Sequence, residues 1–170
     1  MNKYTKIDFY HGSGEDFHNF DIEKSGSNFK QADDAFFFTT NTMFHKMGDQ
    51  ILEDAYSAGA YAKLGKNPSI YIVSLNIKKP LLIKDLVYFY DLDPKDPFDG
   101  CHPQDFYDQH NYSIKEIVKD HNYDAVVLDQ SVLKDGSNEI TAIVFDNSKI
   151  DFKYKKTKKQ TNKNKIKRGI

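Results

Sequence analysis

Short apolar runs rich in aromatic and β-branched residues recur along the chain, at Ile7 to Tyr10, Ala35 to Thr39, Ser69 to Ile77, Asp124 to Asp129 and Glu139 to Phe145. Runs this short make poor core helices, but as neighbouring strands they satisfy one another's backbone groups. Ser69 to Ile77 alternates, and LLIKDLVYFY after it keeps a strand-like composition. The three successive phenylalanines Phe36, Phe37 and Phe38 suit a strand covered on both faces. Only two stretches show helix signals, so the expected fold is α+β, a split, twisted, mostly antiparallel sheet with flanking helices.

The first helix is expected after Thr42, a capping residue, because apolar or small residues recur at Phe44, Met47, Ile51, Ala55, Ala58 and Ala62. Gly65 ends it before Pro68, which leaves Tyr61 on the last turn beside the buried stripe. Ser113-Ile114-Lys115-Glu116 forms a capping box that opens a second helix, running to about His121. From Asp91 to Tyr112 the chain reads as a solvated loop punctuated by Pro94, Pro97, Gly100 and Pro103, whose aspartates do not follow EF-hand spacing. QSVLKDGSN is a polar loop, and His11-Gly12-Ser13-Gly14 reads as a turn after the first strand, where glycine permits unusual backbone shapes.

At 170 residues the chain fits one domain. Its single cysteine, Cys101, excludes an internal disulfide framework and a cysteine-based zinc site, and suits a reducing compartment such as the cytoplasm. His18, His45, His102, His110 and His121 lack metal-ligand spacing, so no metal is expected. Adjacency alone does not make Cys101 and His102 a catalytic pair. The opening MNKYTKIDFY lacks a secretory apolar run, and no stretch approaches the roughly 18 apolar residues a bilayer requires, so no membrane association is expected.

The formal net charge of −1 hides an asymmetry. Nine Lys or Arg and no acid lie between Lys153 and Arg168, which leaves 15 of the 24 basic residues against all 25 acidic ones, a body charge of −10. Residues 1–152 are expected to fold as the domain, and 153–170 to form a basic, mobile tail too polar to fold alone. Lys155, Lys156, Lys158 and Lys159 are its candidate nucleic-acid contacts, because clustered lysines neutralise phosphates. A merely solubilising terminus would have the same composition.

Four short pieces stand out in order: His11-Gly12-Ser13 after a strand, Phe36-Phe37-Phe38-Thr39, Tyr61-Ala62 closing a helix, and Glu139 opening a late strand. Singly, each has an ordinary structural explanation. In this order, together with FYHGSGEDFHNFD, AYAKLG, IYIVSLNIKKPLLI, YDAVVLD and EITAIVFDNSKI, they resemble the ADP-ribosyltransferase domains of phage polyvalent proteins and bacterial toxins. They are similar, more distantly, to poly(ADP-ribose) polymerases and diphtheria toxin. The resemblance covers residues 8–150.

The resemblance implies that NAD is the substrate, that His11 and Gly12 hold a ribose and the carboxamide, with Ser13 beside them, and that Tyr61 stacks on nicotinamide. Phe37 sits where a tyrosine is usual, and Glu139 is the best match to the catalytic glutamate. The polymerases place that glutamate where this chain has Thr141, and a two-residue step along a strand moves a carboxylate by about 6–7 Å. Breaking the nicotinamide–ribose bond makes an oxocarbenium-like sugar, which a carboxylate stabilises more than it does the ground state. Nicotinamide leaves as a neutral ring, so no second acid is needed. Tyr61 and Phe37 would favour the cationic ring by stacking.

The implied function is mono-ADP-ribosyl transfer from NAD to a macromolecular acceptor, RNA or DNA ahead of protein, by a toxin, defence or phage effector with an antitoxin or inhibitor protein as a possible partner. The alternative is a catalytically inactive NAD or ADP-ribose binding module, or an interaction protein on the same fold.

Overall fold

The computed structural model describes residues 2–13, 35–40, 69–134 and 136–157. The helix expected after Thr42, with Tyr61 on its last turn, lies outside these residues, as do Lys158 and Lys159. The described strands are β1 (Phe9–Ser13), β2 (Phe36–Thr39), β3 (Ser69–Leu75), β4 (Pro80–Leu82), β5 (Ala125–Asp129), β6 (Ile140–Val144) and β7 (Ile150–Thr157), joined by helices α1 (Ile83–Tyr90) and α2 (Pro103–Asp120). They form one sheet in the order β4-β5-β6-β2-β1-β3-β7. Only β4 and β5 pair in parallel, and the other neighbours are antiparallel. This is the mostly antiparallel α+β architecture that the short apolar runs imply.

Alternation along each strand divides the core in two. On one face Phe9, Phe36, Phe38, Tyr71, Val73, Val127, Ala142 and Val144 pack together, closed by Tyr4 of a short 3-10 helix at Lys3–Lys6. On the other face α1 and α2 bring Ile83, Leu86, Tyr107, Ile114 and Val118 onto Leu81, Val126, Leu128 and Ile143. Strand β5, between β4 and β6, is buried along its whole length, because both its faces are covered.

Three local expectations are corrected. The strand expected across LLIKDLVYFY stops at Leu82, and a helix follows. Its aromatic composition suggests a strand, yet Ile83, Leu86, Val87 and Tyr90 have helical spacing, and the Asp85 carboxylate accepts the Leu82 N–H at 2.8 Å to cap the first turn. Helix α2 begins inside the expected loop, at Pro103, with the His102 ring accepting the Gln104 N–H at 3.0 Å. The expected Ser113 start marks instead a break in that helix: His110 leaves helical geometry (φ −119, ψ 20), and the Ser113 hydroxyl donates to its carbonyl at 3.1 Å.

Near the chain's two ends the strands differ from expectation as well. His11-Gly12-Ser13 is no turn but the C-terminal part of β1, paired with Tyr71, Ile70 and Ser69 of β3. Strand β7 runs on to Thr157, so Tyr154 to Thr157, expected in a mobile tail, pair with β3, and Lys153 is left out of the ladder at a bulge between Phe152 and Tyr154. Lys155 and Lys156 therefore stand in β7, opposite Tyr71 and Ile70. An edge ladder satisfies backbone groups that the polar composition alone gives no reason to order.

Asp129 ties the N-terminal segment to the sheet. Its buried carboxylate accepts from the Tyr4 hydroxyl at 3.0 Å and from the Ser131 N–H at 3.0 Å, and pairs with Lys3 at 3.0 Å. Burial alone would raise its pKa, but the bonds from Ser131, Lys3 and Tyr4 outweigh burial and hold it below the ordinary 3.8. Burial and the Asp129 bond push the Tyr4 hydroxyl up to about 12. Since the folded pKa of Asp129 is depressed, its contribution is present above the unfolded value of 3.8 and lost as pH falls through the folded one. Asp129→Ala is expected to cost about 2–3 kcal/mol at pH 7 by leaving the Tyr4 hydroxyl buried without its acceptor. Urea titrations of both proteins should show the gap narrowing below about pH 4.

Candidate functional site

Strand β1 pairs along its full length with β3, but with β2 through a single partner pair, Tyr10 and Thr39. Among the described residues no further β1–β2 pair follows, and the His11 side chain reaches β2 instead. Nδ1 of His11 lies 2.7 Å from the Phe37 carbonyl oxygen. A carbonyl only accepts, so Nδ1 carries the proton, and in the neutral ring Nε2 is then the acceptor. Burial pushes the His11 pKa below the ordinary 6.5, with the Phe37 carbonyl pulling weakly the other way, so the neutral form persists at physiological pH. The ring is also braced by Phe38, at 5.4 Å between centroids, and by Phe36, at 6.2 Å. Gly12, next in β1, is buried.

On the other side of β2, Thr39 faces Thr141 of β6, and both are buried. The Thr39 hydroxyl donates to Glu139 Oε1 at 2.9 Å. Glu139 precedes β6 rather than opening it as expected, and its backbone is fixed: its N–H donates to the Ser137 hydroxyl at 3.1 Å and its carbonyl accepts from Gln130 N–H at 3.1 Å. The next residue, Ile140, donates its N–H to the Thr40 hydroxyl at 2.8 Å. One oxygen of the carboxylate is thus held by a buried donor, which fixes the direction of the other.

His11 and Glu139 are both anchored on β2, at Phe37 and Thr39. They approach it from opposite faces. The pleat sends Phe36 and Phe38 to the side of the His11 ring, and Phe37 and Thr39 to the side of Glu139. Phe37 keeps its ring half-buried against Tyr107 of α2, edge to face at 5.7 Å, so its backbone carbonyl is the group that positions His11.

Ser13 lies at the end of β1 opposite Ser69. Thr39 is singled out by the sequence only as part of the Phe36–Thr39 piece, with no role of its own, and Tyr107 is not singled out at all. For Thr39 the only signal is its place at the end of the phenylalanine run, and for Tyr107 the helical spacing is masked by surrounding Asp and Pro. Among the described residues no group of three or more His, Cys, Asp or Glu is placed to hold a metal ion. None of the helices among these residues is long and apolar enough to cross a membrane. Cys101 is exposed.

Comparison with known proteins gives a match to the family model described as ADP-ribosyltransferase in polyvalent proteins, over residues 5–156. No curated protein and no solved structure matches the chain. The matched span takes in every strand from β1 to β6 and both anchor points on β2, and on that match the chain belongs to the ADP-ribosyltransferase family of polyvalent proteins.

Proposed function

We propose that the protein transfers a single ADP-ribose from NAD to a macromolecular acceptor, nucleic acid in preference to protein, as a toxin, defence or phage effector inside the cell. The observation that supports it best is the pair of side chains locked onto one strand, His11 on the Phe37 carbonyl and Glu139 on the Thr39 hydroxyl. His11 Nε2 has the acceptor lone pair that a ribose hydroxyl requires. The Gly12 backbone, with no side chain in the way, admits the carboxamide closely. Tyr61 supplies the stacking face in this reading.

In the reaction the bond between nicotinamide nitrogen and the ribose C1′ breaks, and its electron pair neutralises the departing ring. The Glu139 carboxylate stabilises the positive charge that develops on the sugar. The acceptor's oxygen or nitrogen then bonds to C1′, and its proton passes to Glu139 or to water. Thr39 holds the carboxylate oriented for both steps. Thr39→Val keeps the branched shape and removes the donor, so turnover is expected to fall roughly tenfold with little change in stability. Steady-state NAD turnover and a thermal melt check both halves.

A binding module without activity is the second reading, favoured by the missing Phe37 hydroxyl and by the approach of His11 and Glu139 from opposite faces. Incubation of the pure protein with NAD labelled in the adenylate half, together with cellular RNA or cellular protein, separates the readings. Label on the macromolecule supports transfer, with RNA the expected recipient. Retention of intact NAD without transfer supports the module, and absence of both contradicts an NAD function.

A further inference from the structure

Two short turns share one pattern. Asp129-Gln130-Ser131 follows β5 and Asp146-Asn147-Ser148 follows β6, and in each the aspartate carboxylate accepts the N–H two residues on, from Ser131 at 3.0 Å and from Ser148 at 2.9 Å. Asp146 does this while exposed, so the cap itself requires no burial. Asp129 is 3% exposed and is the only charged side chain buried among the described residues. A carboxylate withdrawn from water is costly unless donors surround it. Here the donors come from two places: the Ser131 N–H and hydroxyl from the turn, and the Tyr4 hydroxyl and the Lys3 ammonium, both at 3.0 Å, from the 3-10 helix Lys3–Lys6. That helix is itself anchored, since Asn2 accepts the Tyr4 N–H at 3.0 Å and donates to the Ile77 carbonyl at 2.8 Å.

The Asp129 turn differs from the other in what it holds next. Asp129 closes the β5–β6 ladder opposite Ile140, and directly after it the Gln130 N–H donates to the Glu139 carbonyl at 3.1 Å. The loop leading on to Glu139 folds back over Gln130: the Leu133 N–H donates to the Gln130 carbonyl at 3.1 Å, and a side chain at Gly136 would meet that oxygen at 1.9 Å. Gln130 lies between Asp129 and the Ser131 N–H that the Asp129 carboxylate holds, so the turn sets where its N–H points. The Thr39 hydroxyl orients one carboxylate oxygen of Glu139, while the backbone from which that side chain starts is held from the β5 side.

We infer that Asp129 is a positioning residue for Glu139, acting through the Gln130 N–H, and that the Tyr4 hydroxyl keeps Asp129 in place for it. This role rests on the proposed transfer and adds a group that acts through the backbone rather than on the substrate. A misplacement of about 1 Å in a reacting group can lower a rate by as much as a hundredfold, so a turn that sets one backbone position has leverage on turnover without contributing to NAD binding.

Two substitutions in the full chain probe the link: Asp129→Ala and, more gently, Tyr4→Phe, which takes only a hydroxyl from the core. Asp146→Ala is the control, because it removes the matching exposed cap. Each is made alone and together with Glu139→Gln, and assayed below the onset of melting seen by circular dichroism. Expected is a fall in kcat of about tenfold for Asp129→Ala and about threefold for Tyr4→Phe, with KM for NAD within about twofold, and no change for Asp146→Ala. Combined with Glu139→Gln, the first two should lower kcat by less than about twofold further, since a side chain without charge gains little from correct placement. A role confined to stability gives the same loss in both backgrounds. Amide hydrogen exchange adds a readout independent of turnover: the Gln130 N–H should exchange about tenfold faster in Asp129→Ala and about threefold faster in Tyr4→Phe. If Asp129→Ala does not fold, Tyr4→Phe decides the matter by the same measurements. Equal losses in both backgrounds, no loss of kcat, a matching loss in Asp146→Ala, or unchanged exchange at Gln130 would each overturn the role. Full activity of Glu139→Gln alone, or no NAD turnover by the wild type, removes the transferase reading and this role with it, whereas equal losses in an enzyme that depends on Glu139 remove only the role.

Discussion

Glu139→Gln is expected to lower ADP-ribose transfer by about a hundredfold to a thousandfold while leaving NAD affinity within a small factor. The substitution keeps the length of the side chain and an oxygen that can accept from the Thr39 hydroxyl, so the local fold, held also through the Ser137, Gln130 and Thr40 contacts, stays in place. What disappears is the negative charge, and that charge matters only as the sugar becomes cationic. The signature is therefore a fall in kcat with KM nearly constant. A fall in both by the same route as misfolding would show in circular dichroism. Full activity in the variant removes Glu139 from the chemistry.

His11→Ala acts differently, because this ring serves the fold and the ligand at once. Its loss leaves the Phe37 carbonyl without the N–H donor at 2.7 Å. About 1–3 kcal/mol of stability should be lost, together with roughly tenfold or more in NAD affinity. The pH dependence follows from the depressed pKa. Below the unfolded value of 6.5 the unfolded chain takes up a proton that the folded ring refuses, so wild-type stability declines as pH falls through 6.5, down to the folded pKa. The variant lacks this group, and its stability should be flatter across the same window. NAD affinity in the wild type should decline on the acid side as well, when Nε2 gains a proton and ceases to accept.

Much of the sheet is legible in the sequence because its strands announce themselves by composition. Ser69 to Leu75, Ala125 to Asp129 and Ile140 to Val144 are runs rich in β-branched residues that could hardly be anything else in a chain of this kind. Ile83 to Tyr90 shows the limit of composition: its aromatic and branched residues favour a strand locally, and the burial of Ile83 and Leu86 at helical spacing wins. The first half of α2 is hidden for the opposite reason, its Asp, Pro and His residues giving a loop-like composition although Phe106 and Tyr107 anchor it to the core.

The candidate site is less legible than the fold. His11, Gly12, Phe37 and Glu139 can be picked out by their order along the chain, but their relation depends on the register that pairs Tyr10 with Thr39. Register across three strands is long-range information, set by the turns and bulges between them, and a single sequence shows none of it. The contact of Thr39 with Glu139 is invisible for that reason: only the pairing with Thr141 brings its hydroxyl there. The bulge at Lys153, which separates Phe152 from Tyr154, is hidden in the same way.

The proposed transfer depends on one ligand between β1 and β2, reached by an imidazole from one face and a carboxylate from the other. A crystal structure of the Glu139→Gln variant with NAD bound tests it most directly. Expected is a dinucleotide lodged between β1 and β2, with a ribose hydroxyl on His11 Nε2 and the nicotinamide-side ribose against residue 139. NAD lying wholly on one face, beyond reach of the other group, or bound away from β1 and β2, would contradict it.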